Sequence, residues 1–145
     1  MPGSDDDGPY VAKLRNVAKK YNVLGKIVFL PFLDDLPAAY MLADLVVVPS
    51  LKPEPFGRIL IEAQAMGRPE VAFNHGGAIA GVINNKTGWC VDACNKENLI
   101  NTIIESINNS NKRKDYGNSA FKRFQEELNS NIVTNQLIDF IIPFL

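Results

Sequence analysis

The sequence predicts an α/β protein built on a doubly wound parallel sheet, and three observations carry that expectation. Short apolar runs ("KIVFLPF", "LVVVPS", "EVAFN", "TGWCV") alternate with segments of helical periodicity. The runs are continuously apolar rather than alternating, as strands covered on both faces are. Turns bearing glycine follow two of them, "LVVVPS" and "EVAFN", and in such sheets ligands bind beyond the carboxyl ends of the strands.

Taken in order, residues 1–9 are mostly Gly, Pro, Ser and Asp and read as a flexible tail. From Tyr10 to Tyr21, Val11, Leu14, Val17, Ala18 and Tyr21 recur at helical steps. "KIVFLPF" reads as a buried strand ended by Pro31. "DDLPAAYMLAD" offers Asp34 or Asp35 as an N-cap before Leu36, Ala39, Tyr40 and Met41. "LVVVPS" has the composition of a central strand. The next helix runs from about Gly57 to Met66 and stops at Gly67 and Pro69. "EVAFN" is a strand, "HGGAIAGVIN" a glycine-rich turn into a short helix, and "TGWCV" a further strand. Three helices follow, over Glu97–Ile107, Lys112–Leu128 and Asn131 to about Ile142, separated by Asn/Ser-rich breaks. The whole reads as one domain, residues 1–145, with a C-terminal helix within 129–145. Two turns stand where ligands should bind: Ser50–Gly57 and Asn74–Gly77.

Composition narrows the function. Apolar residues are 46% and charged residues 21%, ordinary for a globular domain. A net charge of -1 gives no electrostatic case for nucleic acid or an anionic membrane as the main partner. The run Lys112, Arg113, Lys114 reads as a solvated helix start. One histidine, two cysteines and no Asp-x-Asp pair near a strand end leave no metal site. No cofactor is expected. The start "MPGSDDDGPY" lacks the features of a secretory signal, and no apolar run approaches the roughly 18 residues of a membrane span. The expectation is a reduced, cytoplasmic protein.

The chemistry concentrates in "PEPFGRILIEAQAMGRP", residues 53–69, where Glu54 and Glu62 stand among Ile59, Leu60, Ile61, Ala63 and Met66. A carboxylate in such company is costly unless something hydrogen-bonds to it. Main-chain N–H groups of Phe56, Gly57 and Arg58, at a helix start, suit an anion such as phosphate. A carboxylate suits the vicinal hydroxyls of a sugar or ribose. The bland alternative makes Glu62 a helix-surface acid paired with Arg58, worth a few tenths of a kcal/mol.

"EPFGRILIE" resembles the E-x7-E element of the family-4 (group 1) glycosyltransferases. "KIVFLPFLDDLPAAYMLADLVVVPS" before it and "EAQAMGRPEVAFNHGGAIAGVINNKTGWCV" after it are similar to the family's flanking pattern, so the likeness runs over roughly residues 2–107. The resemblance implies the C-terminal, nucleotide-sugar-binding half of a GT-B fold, Rossmann-like, and sugar transfer with retention of configuration. By motif position it makes Glu54 the catalytic candidate and binder of donor-sugar hydroxyls, and Glu62 the ribose ligand. Phe56, Gly57 and Arg58 would present N–H groups to sugar and diphosphate, with Gly76 and Gly77 beside the donor. His75 reads as a hydrogen-bonded loop residue.

The sequence departs from that family in three places. The acceptor-binding domain and the opening of the donor domain are not matched, "MPGSD" resembling the tail of the first strand; the fold is expected to be incomplete at its N-terminus, a truncated or split-gene fragment. Glu70 stands where an apolar strand residue is expected, a liability unless it lies at the strand's end. Ala80 stands near the place of an acidic residue. One domain cannot hold donor and acceptor in reactive geometry. The expectation is therefore a donor-binding domain inactive alone and paired with a separately encoded acceptor-binding domain or with itself. It would serve lipopolysaccharide or another surface glycan, peripheral to the inner membrane through that partner. The alternatives are a non-catalytic nucleotide-sugar-binding module and an inactive gene remnant.

Overall fold

The computed structural model describes residues 8–144. The expected tail therefore falls, except for Gly8 and Pro9, outside the described residues, as does "MPGSD". The chain, read from sequence as one domain, divides into two compact units, Met1–Leu36 and Pro37–Leu145.

In the first unit, helix α1 (Pro9–Lys20) starts on a proline and ends on Lys19 and Lys20. The proline's missing N–H costs nothing in a first turn, and the two cations face the carbonyl end of the helix dipole. A 3-10 turn, Leu24–Lys26, follows, and the Arg15 guanidinium lies 4.5 Å from the Phe29 ring centroid. The strand expected in "KIVFLPF" does not form: residues 27–33 carry no ladder. Val28 and Phe29 supply β-propensity, but a strand exists only through a neighbour's hydrogen bonds. Among the described residues, none pairs there.

Helix α2 spans Leu36–Leu42. The sheet of the second unit has three parallel strands in the order β1 (Val46–Val48), β2 (Glu70–Phe73), β3 (Gly88–Val91). Helix α3 (Arg58–Ala65) connects the first two, and α4 (Ala78–Gly81) the second and third. Val46 stands opposite Glu70, and Val71 opposite Trp89. β2 is buried at every residue; β1, expected at the centre, is an edge of the described sheet, with Val47 36% exposed.

Side chains alternate across a strand, so β2 feeds two cores. Val71 and Phe73 join Trp89, Val91 and Tyr116 on one face, with Leu99 and Ile103 packed against them. Ala72 joins Val48, Leu60 and Val82 on the other. The Trp89 and Tyr116 rings meet at 4.6 Å, tilted by 52°, a geometry that adds to their burial. Leu60 is 1% exposed, and burying such a side chain stabilises by about 1.5–3 kcal/mol.

The last helices are α5 (Lys96–Asn108), α6 (Ser110–Arg123) and α7 (Ser130–Ile141). An asparagine caps the start of each. Asn95, Asn109 and Asn129 accept from the N–H groups of Asn98, Lys112 and Ile132. Each such cap is worth about 1 kcal/mol. A π-helical turn, Phe124–Leu128, separates α6 from α7.

Candidate functional site

β1 and β2 run parallel, so their carboxyl ends open on the same side and deliver the two expected turns to one place. The turns touch main chain to main chain. The Gly77 N–H donates to the Glu54 carbonyl at 2.6 Å. His75 Nε2 lies 2.7 Å from the Ser50 carbonyl, which can only accept. Nε2 therefore carries a hydrogen, and Nδ1 is buried with no partner among the described residues.

Both glycines are required by this contact. Gly76 has φ 56°, and a Cβ there would stand 2.7 Å from the Glu54 oxygen. A Cβ on Gly77 would stand 2.4 Å from the Phe56 carbonyl carbon and 2.8 Å from the Gly57 nitrogen. Only a residue without a side chain lets the backbones close. Val48, Leu60 and Phe73 line the crevice with apolar surface; Ser50, Glu54 and His75 add polar groups.

Of the residues singled out from sequence, Glu54, Phe56, Gly57, Gly76 and Gly77 thus come together. Glu54 is half-buried, and one carboxylate oxygen accepts from the Ser50 hydroxyl. Phe56 is 69% exposed, while its main chain packs on Gly77. Gly57 caps α3 without a side-chain hydrogen bond. Among the described residues, the N–H groups of Phe56, Gly57 and Arg58 meet no acceptor. They are the unfilled donors that every helix start leaves.

Arg58 and Glu62 pair with each other, 3.2 Å apart, one turn into α3. Glu62 does not share the crevice lining with Glu54. Its second oxygen accepts from the Tyr40 hydroxyl of α2 at 3.0 Å. Burial, that hydrogen bond and the carboxylate charge together push the Tyr40 phenol up to about 12. Neither Tyr40 nor Ser50 was singled out from the sequence as a site residue. Ser50 was legible as the small polar residue at the strand end; Tyr40, 22 residues before its partner, was visible only as part of a helix.

Glu70 answers the liability seen in the sequence. It is the first residue of β2, so it does lie at a strand end, yet it is 0% exposed. Gln64 Nε2 donates to one carboxylate oxygen at 3.1 Å; the other has no partner among the described residues. Burial pushes this carboxyl well above the usual carboxylate range, against the opposing pull of Gln64 and the Arg123 charge. A neutral acid in this place removes most of the cost of a buried charge.

Among the described residues, no group of three or more His, Cys, Asp or Glu could hold a metal ion. No described helix is long and apolar enough to cross a membrane.

Comparison with known proteins assigns the fold to a family. The family model for glycosyl transferases group 1 matches residues 3–123. The GDP-mannose-dependent alpha-(1-6)-phosphatidylinositol monomannoside mannosyltransferase of Mycobacterium tuberculosis is 33% identical over 108 residues, covering 69% of this chain and 28% of that enzyme. Anabaena HepE, solved in complex with UDP, superposes with a TM-score of 0.85 at 30% identity, over 94% of this chain and 37% of that one. HepE has also been solved with UDP-glucose. Sucrose-phosphate synthase from Thermosynechococcus elongatus gives a TM-score of 0.85 at 28% identity, over 98% of this chain and 37% of that one. The chain thus spans about a third of the length of such proteins.

Proposed function

The chain belongs to the group 1 glycosyl transferases, and from that premise we propose that the crevice between residues 50–58 and 74–77 binds a nucleotide-sugar donor. The observation that carries this is the unclaimed polar surface of the turns. Among the described residues, three main-chain N–H groups at the start of α3 lack acceptors, directly beside a half-buried carboxylate and a glycine pair. Such donors suit a diphosphate, and the carboxylate suits sugar hydroxyls.

In this reading Glu54, oriented by the Ser50 hydroxyl, takes the donor-sugar hydroxyls and stands next to the reacting carbon. Phe56, Gly57 and Arg58 present N–H groups to the sugar and diphosphate, and Gly76 and Gly77 let the backbone approach. Glu62 receives the ribose hydroxyls. Tyr40 and Arg58 occupy one position on each of its oxygens, and a carboxylate offers about four. The two remaining positions match two vicinal hydroxyls. The diphosphate charge meets main-chain dipoles and the Arg58 guanidinium, so no divalent cation takes part.

The finer reading is a donor domain of family-4 type that transfers a sugar with retention of configuration, toward lipopolysaccharide or another surface glycan. Transfer needs an acceptor held against the donor. In this reading residues 1–145 act together with an acceptor-binding partner and by themselves bind donor without turnover. Leu137, Phe140 and Phe144, at the chain's end, are 55%, 69% and 78% exposed, a surface that suits such a partner or a second copy. Light scattering should show the chain self-associating when alone and dispersed when co-expressed with that partner. A monomer at high concentration would count against partnership.

Calorimetric titration of the purified chain with UDP-, GDP- and ADP-sugars tests the reading. One of the three should bind, with the same affinity in EDTA. Heat from none of them, or binding that vanishes with EDTA and returns with manganese, would overturn it.

A further inference from the structure

Helix α4, into which the Gly76–Gly77 turn leads, has only four residues, Ala78–Gly81. A helix of this length does not hold itself, and its last carbonyls lack intrahelical partners. Here two other helices take those carbonyls. Gln64 of α3 donates from Nε2 to the Gly81 oxygen at 2.6 Å. Arg123, the last residue of α6, donates from Nη1 to that same oxygen at 2.6 Å and from Nη2 to the Ala80 oxygen at 2.7 Å.

The guanidinium is itself fixed on the remaining sides. Nη1 also meets Gln64 Oε1 at 3.4 Å, and Nε donates to Glu127 at 3.1 Å, within the π-helical turn that follows α6. Gln64 spends its other N–H on Glu70. A planar fork that engages two successive carbonyls is a role for arginine rather than lysine, and its charge opposes the carbonyl end of the α4 dipole. α3 and α4, the helices joined by this cluster, both begin at the crevice, at Arg58 and at Ala78.

We propose that Arg123 is a positioning residue for the donor crevice: by gripping the carbonyls of Ala80 and Gly81 it fixes α4, and through α4 it seats the Gly76–Gly77 turn on Glu54 and Phe56. The proposal rests on the reading of that crevice as the nucleotide-sugar site. Arg123 touches no ligand in it. Its effect is to hold closed a contact in which a displacement of about 1 Å is enough to cost a large part of binding.

The test uses the full chain as wild type, Arg123→Gln, Arg123→Lys and Lys122→Gln, each followed by amide exchange and by titration with UDP-glucose. In Arg123→Gln the amides of Gly77 to Val82 should exchange roughly tenfold faster or more while Val71 to Phe73 stay slow, the mark of local rather than global opening. UDP-glucose affinity should fall by about tenfold or more in the same variant, as for a loop set out of place. Arg123→Lys, which keeps the cation and one carbonyl, should lie between, and carries the comparison if Arg123→Gln does not fold. Lys122→Gln, which removes the neighbouring cation, paired with Glu126 and not with α4, should bind as wild type. Faster exchange spread evenly over the sheet, or unchanged exchange at the turn, would overturn the proposal. If wild type takes up no UDP-glucose, the donor reading fails with this probe, and the exchange pattern alone decides for or against the positioning role.

Discussion

The crevice rim and the buried patch around Glu70 lie within one unit, and they dispose of their polar groups in opposite ways. At the rim, three N–H groups have no acceptor among the described residues and Glu54 is half-exposed, its described side-chain partner being Ser50. Around Glu70 the donors are spent: Gln64 uses both amide hydrogens, and Arg123 reaches four acceptors. A single carboxylate oxygen of Glu70 is left over. Polar atoms sealed from water must find partners within the protein, whereas those at an open strand end can wait for a ligand. The difference locates the site better than the presence of acidic residues does, because both regions contain a glutamate.

The sharpest way to break this contrast is Gly77→Ala. The added methyl would meet the main chain of Phe56 and Gly57 at 2.4 and 2.8 Å, so the turns must separate. Affinity for UDP-glucose in calorimetry should fall by about 100-fold, the scale expected for displacing a binding loop by roughly 1 Å. Gly25→Ala, where nothing stands within 4 Å of the new carbon, should leave binding unchanged and serves as control. Equal affinity in both variants would mean that the contact between the turns does not shape the site.

Glu62→Ala sharpens the contrast by asking which class Glu62 belongs to. Held by Tyr40 and Arg58 yet 31% exposed, it shares features of both regions. Loss of a charge-assisted bond to ribose should weaken nucleotide binding by about 1–3 kcal/mol. An unchanged affinity with a lowered melting temperature would assign the residue to packing and pairing alone.

These examples also mark how far the sequence could be read. Continuous apolar runs bounded by proline or glycine were enough for β1, β2 and β3, and Asn/Ser breaks for the last three helices, because those signals are local. The "KIVFLPF" strand failed since pairing depends on a neighbour that no window of sequence contains. Gly76 and Gly77 were legible as a turn at a strand end, and the parallel topology implied that both turns rim one crevice; that they close on the main chain of Glu54 and Phe56 was not legible. The Arg123 grip on residues 42 and 43 positions earlier was not legible, since nothing near "FKRFQEE" distinguishes that cation from its neighbours. Glu70 gave a partial signal, a charge inside an apolar strand, without naming its partners.

Glu70→Gln should show the buried patch in the pH dependence of stability. The folded pKa is raised, so the native state holds the proton more tightly than the unfolded chain. This group's stabilisation is complete below the unfolded value of about 4.5 and is lost as pH rises through the folded value. Thermal melts of wild type should therefore fall from acid toward neutral pH more steeply than those of Glu70→Gln. Parallel curves would show that Glu70 ionises as freely as an exposed carboxylate.

The smallest expected effect is spectroscopic. The Tyr40 phenol should titrate near 12 in wild type and move back toward 10 in Glu62→Gln, which removes the carboxylate charge. The stabilisation linked to Tyr40 is present below pH 10 and is lost as pH rises through about 12. Absorbance at the phenolate band, compared with a Tyr40→Phe variant, reads it. A wild-type value at 10 would remove Tyr40 as the partner of Glu62.

Amide exchange with and without saturating UDP-glucose tests most directly whether the two turns form a nucleotide-sugar site. Protection should appear at residues 50–58 and 74–77 together, because the turns share the Gly77-to-Glu54 hydrogen bond and rim one crevice. Protection confined to α5, α6 and α7, with both turns exchanging as in the free protein, would contradict the account.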